Sequence, residues 1–381
     1  MESFIRQRLA TVRRLVIKVG TNLLRGPDEG LNLDLMESLA RQIGEVRRQE
    51  RDVILVSSGA VGAGAWELGF EIPPAETSVR QALAAVGQSR MMHHYKLVFG
   101  HHGIRVAQVL LTRDSMDHRA RYLNVRNTFE TLLQWGVLPI VNENDTVAIE
   151  ELKFGDNDQL SAQIAGKVDA DLLVILTDVQ GIFDRPPHLP GARRLAYLRR
   201  DDQTEVDIGA GSAGAFGLGG MRSKLEAARL ATRAGILTFI GPGREPGILA
   251  QVLAGAEVGT WCEPCPRRMS ARKRWIALGK CPGEGRIFVD PGAETALRAG
   301  GKSLLPSGVS RVEGRFQRGE LVRVFADAAH HEFALGLTRY SAEDLQAIRG
   351  RKSHEIASIL GPRDSYEVIH RDDMVVLGPQ D

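Results

Sequence analysis

VLPIVNENDTVAIEELKFGDNDQL, residues 137–160, begins as an apolar run and turns abruptly polar. From Val141 onward it carries nine side chains drawn from Asp, Glu and Asn and a single lysine, Lys153. Residues 137–141 read as a buried strand, so the polar cluster starts at a strand's carboxyl end, where open α/β sheets bind their ligands. Acids and amides at such density call for an ammonium group or a metal to meet them. The segment predicts a small-molecule site on the carboxyl edge of a parallel sheet.

Working outward, LVIKVG (15–20), VILVSS (53–58), VAQVLL (106–111), LLVILTD (172–178) and ILTFIG (236–241) read as further buried strands. Helical periodicity fills 33–50, 78–98, 122–135 and 221–234 between them. Alternation of this kind predicts βαβ units and a three-layer α/β/α sandwich with a mostly parallel sheet. The pattern stops at CEPCPRRMSARKRW (262–275), whose prolines and basic residues lack apolar periodicity and read as a linker. Beyond Arg286, short apolar alternations punctuated by glycine predict a small β-barrel or sandwich with minor helices. The expected division is one domain over 1–265, a linker over 266–280 and a second domain over 281–381.

Composition narrows the function classes. The chain has 381 residues, and 49 basic against 47 acidic side chains leave a net charge of +2, too little for a nucleic-acid or membrane footprint. Residues 273–381 hold sixteen Lys and Arg against fifteen Asp and Glu, a net of +1, which argues against an RNA-binding module there, leaving a local basic cluster at Arg267, Arg268, Arg272, Lys273 and Arg274 as its only foothold. No stretch approaches a membrane span and the N-terminus has no apolar leader core, so a cytoplasmic address is expected. Cys262, Cys265 and Cys281 are too few for a disulfide framework or a four-ligand zinc site and read as chance thiols near a domain junction. The histidines at 93, 94, 101 and 102 have no acid or cysteine at ligand spacing and read as surface or subunit-interface residues.

Four strand ends offer chemistry. Lys18 sits near the end of the first strand, ahead of Gly20, and either reaches solvent or meets an anion. Ser57, Ser58 and Gly59 leave the second strand, but the glycines at 59, 62 and 64 have the wrong spacing for a dinucleotide fingerprint and leave only a turn suited to a polar ligand. In GAFGLGGMRSK, glycines at 217, 219 and 220 run into a helix whose first turn carries Ser223 and Lys224, which is either a phosphate site or a loop with a surface lysine. Thr177 and Asp178 close the strand 172–178 with a hydroxyl and a carboxylate.

In order, IKVGTN, SSGAVGAG, AAVGQSR, LLTRDSM, VNENDTVA, FGDND, LLTDVQGIF and GGMRSKLEAA cover nearly all of residues 14–260, and together they resemble the amino acid kinase family. VDPGAETAL, GKSLLPSGV and RGELVRV resemble a PUA domain. The resemblance implies the amino acid kinase fold followed by a small mainly-β PUA barrel. It implies transfer of the ATP γ-phosphoryl group to the side-chain carboxylate of L-glutamate, with Mg²⁺ on the nucleotide, at the entry to proline biosynthesis. Related kinases acting on aspartate or N-acetylglutamate are the alternative within the family. Carried over residue by residue, Lys18 and Lys224 flank the transferring group with backbone N–H groups near Gly20 and Gly220, and Asp158 holds the lysines. Ser58, Asp145 and Asn157 bind glutamate, with Asn142 and Glu143 shaping the pocket. Thr177, Asp178 and the run Leu218, Gly219, Gly220, Met221, Arg222, Ser223, Lys224 bind ATP, and Asp156 assists Mg²⁺ through water. Feedback inhibition by L-proline and a homodimer or homotetramer are implied likewise. Leu218 stands where the family commonly has Thr, and Phe183 where it has Tyr, so both positions lose a hydroxyl.

Overall fold

The computed structural model describes residues 2–26, 30–74, 76–112, 119–147, 157–185, 187, 189–199, 218–265, 273, 276–277, 285–299, 301–327, 331–361 and 366–377. The chain forms two compact units, Met1–Arg268 and Met269–Asp381. Eight strands build the sheet of the first: Arg14–Val19 (β1), Asp52–Ser57 (β2), Val106–Leu111 (β3), Leu138–Glu143 (β4), Leu172–Thr177 (β5), Tyr197–Leu198 (β6), Leu237–Pro242 (β7) and Thr260–Cys262 (β8). Their order is β3-β4-β2-β1-β5-β7-β8-β6, parallel throughout except where β8 runs against β7. All six strands read from the sequence form, and so do the four helices, at Leu33–Arg48, Thr77–His101, Arg119–Gln134 and Leu218–Arg233.

Burial follows position in the sheet. The central strands β1 and β5 are buried on both faces, as their continuous apolar runs require. VAQVLL, read as a buried strand, is half exposed, because β3 is an edge and only β4 pairs with it. Cys262 lies inside β8 rather than in a linker, and burial pushes its thiol up to about 12, which makes it inert. Of the linker region 266–280 only Lys273, Ile276 and Ala277 are described; the rest of the basic cluster, like Cys281, lies outside the described residues. An acid does face part of the histidine group: Glu37 contacts His101 Nδ1 at 3.3 Å and His102 Nε2 at 2.7 Å.

The strand order places a topological switch at β1. From β1 the chain moves to β2, β3 and β4 on one side and then returns to β5 on the other, so a crevice opens beyond the carboxyl ends of β1 and β5. The return runs through a helix absent from the sequence reading, Asn157–Lys167, which packs across β1, β2 and β5 and starts at the sheet's carboxyl edge. Its sequence NDQLSAQIAGK has no amphipathic stripe because nearly every residue from Asp158 to Lys167 is buried. Leu15, Ile17 and Val19 of β1 join Met36, Leu39 and Ile43 in the core on one face. Strand alternation turns Lys18 to the opposite face, toward this helix.

The first unit also has short helices that the sequence reading did not name, among them Glu2–Leu9, Thr21–Leu24, Ala60–Glu67 and Ile248–Leu253. Gly59, at φ +99°, makes the left-handed turn out of β2 that only glycine takes without strain. Gly64 has a packing role. A Cβ there would collide with the carbonyl of Leu83, and one at Gly87 with the carbonyl of Ala60, so these glycines let the helices Ala60–Glu67 and Thr77–His101 touch backbone to backbone.

The second unit carries a five-stranded sheet ordered β10-β9-β11-β12-β13, from Arg286–Val289 (β9), Val309–Glu313 (β10), Leu321–Ala326 (β11), His331–Leu337 (β12) and Met374–Val376 (β13). It is antiparallel except for β9 beside β11. Helices Pro291–Arg298, Ala342–Ile348 and Ser353–Leu360 accompany it, around a core that includes Val322, Val324 and Phe333. Among the described residues no helix is long and apolar enough to cross a membrane. Gly64→Ala is expected to cost about 1–3 kcal/mol through overpacking against the long helix, read as a lowered urea midpoint with an unchanged m-value.

Candidate active site

Lys18, Asp158 and Lys224 meet at the switch point. Lys18 Nζ lies 2.5 Å from Asp158 Oδ1, and Lys224 Nζ lies 3.1 Å from Asp158 Oδ2. Lys18 is 2% exposed, Lys224 9% and Asp158 0%, so these charges stand where water screens them little. Ser223 Oγ donates to Asp158 Oδ2 at 2.9 Å, and Lys224 Nζ donates to the carbonyl of Gly220 at 3.0 Å. One carboxylate set between two ammonium groups makes a trio with a net positive charge. An anion entering the crevice meets this excess.

Two details differ from the sequence reading. The N–H of Gly20 donates to the carbonyl of Leu176 at 3.2 Å, because the β1–β5 ladder continues past the strand end, so that group is not turned to a ligand. Helix Leu218–Arg233 already includes Gly219 and Gly220, which puts Ser223 and Lys224 in its second turn rather than its first. The residues at 211–217 and the Leu218 side chain lie outside the described set, as does Asp156. Arg222 is exposed and pairs with Glu226 at 3.0 Å, one turn on, while Met221 is half-buried.

Beside the lysines, Thr177 Oγ1 donates to Asp178 Oδ1 at 3.0 Å and Asn22 Nδ2 to Asp178 Oδ2 at 2.8 Å. Burial would raise the Asp178 carboxyl, but the bonds from Asn22 and Thr177, its backbone and the field of Lys224 outweigh this and hold it below the usual range. Asn22, which the sequence reading did not single out, thus braces one of the residues assigned to the nucleotide. Phe183, lacking the hydroxyl, lies next to buried Ile182, whose N–H donates to Thr260 Oγ1 at 2.8 Å.

A second group of predicted residues converges at the ends of β2 and β4. Asn157 Nδ2 faces Ser57 O at 3.1 Å, Ser58 Oγ at 3.0 Å and Asn142 Oδ1 at 2.8 Å. Asn142 is buried, its Oδ1 also accepting from the N–H of Glu143 and its Nδ2 donating to Gln88 Oε1, each at 2.8 Å. Through these bonds Asn142, expected to shape the pocket, stands behind Asn157. Asp145, Glu143 and Gln88 line a cavity of about 350 Å³ floored by Ala60 and Ala84. Tyr95 supports the same corner from below: its OH lies 2.8 Å from Ser57 Oγ, and burial, partly offset by that bond, pushes its phenol up to about 12. Gln88 and Tyr95 went unnoticed in the sequence because neutral polar residues in an apolar helix carry no pattern of their own; the run AAVGQSR was the available signal.

Residues 13–241 match the amino acid kinase family, and residues 285–360 match the PUA domain. The chain belongs to the amino acid kinase family. It is 49% identical over 370 residues to the glutamate 5-kinase of Geobacter sulfurreducens, covering 97% of this chain and 99% of that one. To the glutamate 5-kinase of Syntrophotalea carbinolica it is 46% identical over 369 residues, covering 97% and 98%. Phosphoryl transfer in general relies on positioning and on positive charge around the moving group.

In this kinase the shared counter-ion is the electrostatic keystone. Asp158→Asn removes the anion between two buried ammonium groups and is expected to destabilise the fold by about 3–5 kcal/mol. Thermal unfolding checks this, and an unchanged midpoint would mean that the ion pairs are solvated.

Proposed function

We propose that this chain transfers the γ-phosphoryl group of ATP to the side-chain carboxylate of L-glutamate, giving L-glutamyl 5-phosphate and ADP, as the first step of proline biosynthesis. The observation that carries the reading is the pair Lys18 and Lys224 sharing Asp158 at the sheet's switch point, one network away from the acid and amide pocket. A glutamate carboxylate, with an ordinary pKa near ~4.3, is already ionised at neutral pH, so the nucleophile needs no general base. The barrier is the approach of two anions: a pair of unit charges at ~4 Å and an effective dielectric near ~20 repel by roughly 4 kcal/mol. Fixed ammonium groups offset this without reorganising at the moment of reaction.

Each residue then has a role. Lys18 and Lys224 hold the phosphoryl oxygens, and Asp158 keeps both lysines in place. Thr177, Asp178 and the turn from Leu218 through Gly219, Gly220, Met221, Arg222 and Ser223 to Lys224 seat the nucleotide. Asn157 and Ser58 orient the amino acid, and Asp145 pairs with its α-ammonium. Mg²⁺ would accompany the triphosphate and add positive charge to it, and Asp156, which lies outside the described residues, is the acid that the family resemblance assigns to it, through water. Among the described residues no group of three His, Cys, Asp and Glu side chains is placed to hold a metal ion.

L-Proline, a smaller amino acid with the same α-carboxylate and a cationic nitrogen, would act as feedback inhibitor at the glutamate pocket. A cytoplasmic homodimer or homotetramer, and a chain divided into a catalytic domain over 1–265, a linker over 266–280 and a second domain over 281–381, complete the proposal. The near-even charge of residues 273–381 favours a regulatory over a nucleic-acid role for the latter.

Hydroxylamine trapping across acidic amino acids tests the reaction: an acyl phosphate from L-glutamate yields a hydroxamate in an ATP-dependent way, and a hydroxamate from aspartate or N-acetylglutamate instead would move the substrate assignment. Asp145→Asn should raise the glutamate KM at least about tenfold while leaving the ATP KM near wild type; equal effects on both would remove Asp145 from the substrate role. Lys224→Ala should lower kcat by about 10²-fold or more, and near-normal turnover would refute its phosphate contact.

A further inference from the structure

Helix Thr77–His101 sends Gln88 to the wall of the amino-acid pocket and into the hydrogen-bond network behind it, and its neighbour Gly87 explains how it reaches. Because a Cβ at 87 would strike the carbonyl of Ala60, only glycine lets this helix approach so closely. Gln88 Oε1 then accepts from Asn142 Nδ2 at 2.8 Å. Asn142 Oδ1 accepts from Asn157 Nδ2 at 2.8 Å, and Asn157 Nδ2 also faces Ser57 O at 3.1 Å.

Amide side chains usually leave their two ends interchangeable, but here two main-chain groups remove the ambiguity. The N–H of Glu143 can only donate, so the atom of Asn142 beside it, at 2.8 Å, is the oxygen. The carbonyl of Ser57 can only accept, so the atom of Asn157 beside it is the nitrogen. Gln88 must therefore present its oxygen to Asn142. The consequence falls on Asn157: its Oδ1 is buried and has no hydrogen-bond partner among the described residues. A buried acceptor left over by a fixed network is a site for a donor brought from outside.

We propose that Gln88 is a positioning residue which, through Asn142, holds Asn157 Oδ1 toward the α-ammonium of the substrate and so makes the site select amino acids over dicarboxylates that lack the amine. This rests on the glutamate reading above and deepens it. Gln88 does not touch reacting atoms; it supplies the acceptor that stops the Asn142 amide from turning away and carrying Asn157 with it.

The test compares Gln88→Met, which keeps the length and loses the acceptor, with Gln88→Glu, which keeps the acceptor, using L-glutamate and glutarate as phosphoryl acceptors in the hydroxamate assay. Wild type should prefer glutamate. Gln88→Met should raise the glutamate KM about tenfold, leave the ATP KM within about twofold and shrink the glutamate-to-glutarate ratio of kcat/KM about tenfold; Gln88→Glu should stay within about threefold of wild type in all three. Should the Met variant not fold, Gln88→Ala, the best helix former at that position, serves the same comparison. Equal losses on both acceptors, a wild-type ratio in the Met or Ala variant, or equal damage from Met and Glu would overturn the relay. A wild type that forms hydroxamate from neither acceptor strikes the proposed function itself and takes this inference with it.

Discussion

Asp158 sits fully buried between two lysines that arrive from opposite ends of the kinase sequence. Bringing two ammonium groups out of water costs several kcal/mol for each, and the shared carboxylate is what makes the arrangement tolerable. The three groups also tie together three elements: β1 through Lys18, the crossover helix Asn157–Lys167 through Asp158, and helix Leu218–Arg233 through Lys224. Electrostatics and topology thus meet in one place. The carboxylate shared by the two lysines in the interior also holds them at the sheet's carboxyl edge.

The neighbouring corner of the crevice is built by a different rule. Positive charge dominates around Lys18 and Lys224, whereas Asn157, Asn142, Ser58 and Gln88 form a chain of neutral hydrogen bonds whose direction is set by backbone groups at Ser57 and Glu143. Neutral donors and acceptors orient a ligand with fewer desolvation penalties than buried ions. Asp145 adds a negative charge at the cavity wall. The two subsites touch through adjacent residues, since Asn157 faces the amides while Asp158, one position on, faces the lysines. The first turn of one helix therefore sets the spacing between the amide chain and the lysine pair.

Glycine governs the approach of the elements that frame this site. Gly59 turns the chain out of β2, and Gly64 and Gly87 allow two helices to pack at backbone distance. Glycines in SSGAVGAG invite a reading as a ligand cradle, yet Gly64 serves helix packing. A motif glycine thus marks close approach of another group, here the backbone of a neighbouring helix.

The alternation of apolar runs with helical periodicity was enough to place six strands and four helices, because a strand buried on both faces must be apolar throughout and a surface helix must show its stripe. The ordered motifs were enough to place Lys18, Asp158, Thr177, Asp178 and Lys224 in one family pattern. The helix Asn157–Lys167 stayed invisible because burial on all sides erases the stripe, and its polar residues are satisfied by partners 65 or more positions away along the chain in the case of Ser223 and Lys224. Gln88, Tyr95 and Asn22 stayed invisible for a related reason: hydrogen-bond direction has no periodicity in one dimension. Local sequence determined which segments fold and which residues carry charge. Only the three-dimensional packing decided which oxygen faces which nitrogen, since that depends on main-chain groups brought together from distant parts of the chain.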